Sequence, residues 1–149
     1  MKRQRRHTWH RSVALRGATV YFGIVFAVGF VLGALRVPFL APRFGERSAE
    51  LAEMPLMLVA IFLAAGYVVK RYGAAVSPRG WAFAGLAALG LLFCAEALLA
   101  VALAGRGVGD YITSRDPVSG SVYLGMLLVF AAMPWLRSTR GGMGSGKRV

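Results

Sequence analysis

The chain has 149 residues, 57% hydrophobic and 16% charged, where soluble domains carry roughly a quarter charged. Its apolar residues bunch into runs broken by charge clusters, which excludes a soluble globular domain, a disordered chain and a disulfide scaffold; a single cysteine, Cys94, excludes an intramolecular disulfide and a Cys-cluster metal site. The formal charge of +12 sits on residues flanking apolar runs, the pattern of topology and lipid-headgroup signals and not of a nucleic-acid partner.

Residues 1–16 form a basic tail, with Trp9, Val13 and Leu15 among Lys2, Arg3, Arg5, Arg6, Arg11 and Arg16. Such a segment suits an anionic membrane surface, where each basic residue contributes about 1 kcal/mol. A bilayer core of roughly 30 Å takes about 20 apolar residues as a helix, and four segments qualify: 17–35, 51–69, 80–105 and 118–136. The first is too long for a signal-peptide core of about 7–15 residues and ends in Leu35-Arg36-Val37-Pro38 without a small-x-small site, so it reads as a retained helix. The predicted fold is an all-α bundle of four transmembrane helices, closed by a Gly-rich basic tail over 137–149.

Basic residues divide 13 to five between the two sides, with the excess on the two tails and the middle loop (Lys70, Arg71, Arg79). Cytoplasmic loops carry that excess, so both termini are expected in the cytoplasm. Glu46, Glu50, Glu53, Glu96, Asp110 and Asp116 then lie on the outer side or within the membrane. Asp116-Pro117 reads as an N-cap and first residue of the fourth helix. Pro55 implies either that the second membrane helix begins near Glu53 or that a separate helical turn over 46–53 lies at the surface. Pro134 reads as the fraying end of the fourth helix, and Trp81 and Trp135 as interface residues.

One constellation stands out. At 1.5 Å per residue, Glu96 falls near the bilayer middle on its outer side, Glu53 enters at the outer end of the second helix, and Arg36 leaves the first helix at that level. An intramembrane charge costs about 2.5–3.5 kcal/mol on insertion scales and is expected to face the bundle interior with a partner. Glu50 shares a helical face with Glu53. Glu96, Glu53, Glu50 and Arg36 are therefore the candidate polar cluster, with Glu53 or Arg36 the expected partner of Glu96 and Tyr21 or Tyr123 as alternatives. The cluster serves either as a proton- or cation-binding site or as a device that fixes helix packing.

The outer stretches 41–48 and 110–117 alternate charge with turn residues and read as turn chemistry. Gly29 and Gly33, a G-x-x-x-G pair, form a helix-packing surface, as do Ala84, Ala88, Ala95 and Ala102 on the third helix. Gly141 to Lys147 spells G-x-x-x-x-G-K, but Arg148 replaces Ser/Thr and no strand precedes it, so it holds no phosphate. Gly105, Gly107 and Gly109 read as a helix stop. His7 and His10 lie in the tail, so no haem or metal ligand is expected within the membrane. Cys94 reads as a small buried apolar residue.

The stretches Ala41 to Pro55, Cys94-Ala95-Glu96 and Ser114 to Gly120 resemble those of small uncharacterised four-helix inner-membrane proteins of proteobacteria. The resemblance runs over most of 17–136 and implies a bacterial multi-pass protein, without an activity. Two functions fit. One is an accessory protein acting by helix association with itself or a larger membrane partner. The other is a small homo-oligomeric proton- or cation-coupled carrier or channel using Glu96 and Glu53. A lipid-headgroup enzyme would need a nucleophile or metal set that the interface lacks; no cofactor is implied, and the lipid bilayer is the expected surrounding.

Overall fold

The computed structural model describes residues 2–104 and 117–142. Helix α1 (Lys2–Leu35) runs into a π-helical turn (Arg36–Leu40) and a short helix α2 (Ala41–Phe44). Helix α3 (Glu46–Tyr72) returns, a 3-10 turn (Gly73–Ala75) follows, and α4 (Pro78–Ala104) and α5 (Pro117–Gly142) complete the chain. No strand occurs among the described residues. Four stretches are long and apolar enough to cross a membrane: Ser12–Phe44, Glu46–Tyr72, Pro78–Leu99 and Gly120–Arg140.

Local chemistry explains the boundaries. Pro38 has no amide hydrogen to give the Ala34 carbonyl, and the helix widens there into the π turn, with the Ala41 amide bonding the Arg36 carbonyl. Gly45 breaks the chain at φ 80°, ψ 155°, a conformation open essentially to glycine alone. That single residue turns the chain from α2 into α3 and brings α3 back beside α1. Ser77 is the N-cap of α4: its hydroxyl accepts the Gly80 amide at 3.2 Å, and Pro78 takes the first helical position.

Several expectations are corrected. Helix α3 is continuous from Glu46 through Pro55, so neither a late start near Glu53 nor a separate surface turn occurs. The stretch 41–44 is helical, and only Gly45 is turn. Helix α1 begins at Lys2, well ahead of residue 17. Helix α5 runs past Pro134 to Gly142 instead of fraying there. Trp81 is buried at 1% exposure, because Gly17 lets its indole lie against α1, whereas Trp135 is exposed. Asp110, Asp116, Gly105 to Gly109 and the tail over 143–149 lie outside the described residues.

Helices α3 and α4 each pack against both α1 and α5, which face one another across the bundle diagonal. The half that holds Ala14, Ala18, Ala65, Val68, Trp81, Ala84 and Ala88 is closely packed. Tyr21 and Phe130 meet across the diagonal, ring centroids 4.6 Å apart and nearly parallel, and close that core. The outer faces are apolar too: Leu63, Leu86, Leu98, Leu124 and Leu128 are each more than 60% exposed. Water would not tolerate that surface; lipid does.

Candidate functional site

Beyond the Tyr21–Phe130 pair the helices diverge and form a half-open cavity of about 640 Å³. Val25, Ile61 and Phe130 belong to both the packed core and the cavity wall. Arg36, Glu50, Glu53, Glu96 and Tyr123 supply its charged and hydroxyl groups, and most of the remaining lining is aliphatic, aromatic or thioether.

The four expected cluster residues all line this one cavity, drawn from three elements. Arg36, the first residue of the π turn, places Nη1 2.9 Å from Oε1 of Glu50 and Nε 3.6 Å from Oε2 of Glu53. Glu50 and Glu53 stand three residues apart on α3 and so share a face. Their side chains are 10% and 17% exposed, against 23% for Arg36, so the arginine clamps the start of α3 to the end of α1 in a largely dry setting. A buried carboxylate demands a partner of this kind.

Glu96 lies eight residues before the end of α4, about 12 Å along the axis. Its partner differs from the expected ones: the Tyr123 hydroxyl of α5 donates to Oε1 of Glu96, and neither Arg36 nor Glu53 does. Tyr21, the other tyrosine considered, instead donates to the Phe130 carbonyl at 2.8 Å. Among the described residues no cation pairs with Glu96. The arrangement thus joins a salt-bridged carboxyl pair with a further carboxyl held by a neutral donor.

Gly29 packs against the end of Met57, whereas a Cβ at Gly33 would meet no atom of the described residues within 4 Å. Ala84 and Ala88 are buried as expected. Cys94 is exposed, not buried. Sequence reasoning passed over Met54, Met57 and Met126, which line the cavity. Their signal was their place on the faces that carry Glu53 and Tyr123: Met57 four residues from Glu53, Met126 three from Tyr123. No family model, curated protein or solved structure matches this chain.

Proposed function

We propose that the protein is a small carrier of the bacterial inner membrane that takes its ligand into this cavity and exchanges a proton for a cation on Glu96. The observation that carries the reading is that an intramembrane carboxyl, whose partner among the described residues is a tyrosine hydroxyl, faces a cavity of about 640 Å³. An ionised carboxylate in such a place is costly without a positive charge. The tight half of the bundle is the barrier on the cytoplasmic side, and the excess of Lys and Arg on the tails and middle loop supports that orientation. The inner-membrane assignment is supported by the same charge asymmetry and by the resemblance to small proteobacterial membrane proteins.

The test uses proteoliposomes filled with a pH-sensitive dye at acid internal pH. External sodium, potassium and benzyltrimethylammonium are added in turn. At least one should drive proton exit with the wild-type protein and not with Glu96→Gln, which keeps an acceptor for Tyr123. Traces that are the same for wild type, Glu96→Gln and protein-free vesicles with all three cations would overturn the proposal.

A further inference from the structure

We infer that the ligand of this cavity is a monovalent organic cation with a bulky apolar body. The inference rests on the carrier reading for transport but stands independently for binding. Charge sets the valence. Arg36 engages Glu50 and approaches Glu53, which leaves Glu96 as the carboxyl with no cation beside it among the described residues, a place for one positive charge.

The donor set sets the kind of cation. A bare calcium or magnesium ion takes about six or more oxygens in its first shell. Among the described residues no three His, Cys, Asp or Glu side chains gather into a metal-holding group. The oxygen beside the Glu96 carboxylate is the Tyr123 hydroxyl, whose hydrogen points at that carboxylate. A cation that keeps its charge under a hydrocarbon cover needs no such shell.

The walls supply what that cover requires. Phe26, Phe30 and Phe130 line the cavity together with Met54, Met57 and Met126. Aromatic faces attract a desolvated cation, and methionine thioethers adapt to different shapes. The volume of about 640 Å³ falls within the roughly 300–1,000 Å³ of sites for drug-sized molecules. It is far larger than a single ion needs.

Binding can be measured by calorimetry on the purified full-length protein in detergent with two ligands of one shape and opposite charge, tetraphenylphosphonium and tetraphenylborate. The phosphonium should bind, and Glu96→Gln should weaken it by about tenfold or more. Phe30→Ala, at a side chain 54% exposed and so free of core packing, should weaken it less. Tetraphenylborate should show no difference between wild type and Glu96→Gln. Acidification should weaken phosphonium binding less in Glu96→Gln than in wild type, because the variant lacks one of the carboxyls that face the cavity. Among the described residues Arg36, Glu50, Glu53 and Tyr123 are the other titratable or charged groups facing the cavity, and they are common to both proteins.

Equal phosphonium affinity in wild type and a monodisperse Glu96→Gln, or a borate that binds through Glu96 as well, would overturn the inference. The two proposals fail separately. Glu96-dependent phosphonium binding without benzyltrimethylammonium-driven proton movement removes the carrier reading and keeps the site. Sodium- or potassium-driven proton movement without phosphonium binding does the reverse.

Discussion

Proline has no amide hydrogen, so Pro134 leaves the Phe130 carbonyl, four residues back, without its helical donor. The Tyr21 hydroxyl fills the vacancy from across the bundle at 2.8 Å, and its ring stacks on Phe130. Membrane helices accept proline where a neighbouring helix re-satisfies the freed group in this way. Tyr21→Phe keeps the ring and removes the donor, so it should destabilise the protein by about 1 kcal/mol, in line with interhelical hydrogen bonds in membranes. Pro134→Ala restores the amide donor. In that background Tyr21→Phe should cost measurably less, a coupling that a double-mutant cycle of unfolding in mixed micelles would report. Equal costs in both backgrounds would show that the hydroxyl contributes independently of the carbonyl that Pro134 frees. From the sequence Pro134 reads as a helix end because Tyr21, which satisfies the Phe130 carbonyl that the proline frees, lies 109 positions from Phe130. No local pattern pairs the two.

Helix approach is set at a few glycines, and their consequences differ sharply. A Cβ on Gly85 would sit 2.0 Å from the Ala131 carbonyl oxygen, so α4 and α5 touch backbone to side at that point. A Cβ on Gly66 would meet only the far end of Arg137, whose guanidinium lies over the Phe62 ring and can swing away. Gly125 meets nothing within 4 Å. Gly85→Ala should therefore cost about 1–3 kcal/mol as overpacking against an immovable neighbour. Gly125→Ala should be neutral or stabilising by up to about 1 kcal/mol through helix propensity. Thermal unfolding of the two variants in one detergent checks the contrast, and similar losses for both would refute it. The alanines of α4 next to this contact were readable from their spacing, and Ala84 and Ala88 are buried accordingly. Gly85 itself was missed, because in a membrane small residues mark close approach without saying which helix approaches. Cys94 was misplaced for a related reason: the bundle interior and its surroundings are both apolar, so hydrophobicity does not distinguish inside from outside.

The whole molecule divides along its axis into a half that is packed and a half that is hollow, and the charges divide with it. Arg36, Glu50, Glu53 and Glu96 all line the hollow half. Lys70, Arg71, Arg79, Arg137 and Arg140 lie at the opposite end, around the 3-10 turn and the close of α5. The spans and the carboxyl cluster were readable in the sequence because each rests on a large cost, that of exposed backbone or of charge in lipid. The cavity was not, since its size depends on how far four helices diverge above the Tyr21–Phe130 contact, and no residue type encodes that distance. The same charge division yields the orientation. Reporter fusions at Val149 and near Val76 should report a cytoplasmic location, and fusions near Gly45 and Thr113 should report export. With 13 basic residues against five, no single loop decides the outcome, so neutralising Lys70 and Arg71 together should leave the pattern unchanged. An exported C-terminus would place the hollow half in the cytoplasmic leaflet, and the carrier would then have to load from inside the cell.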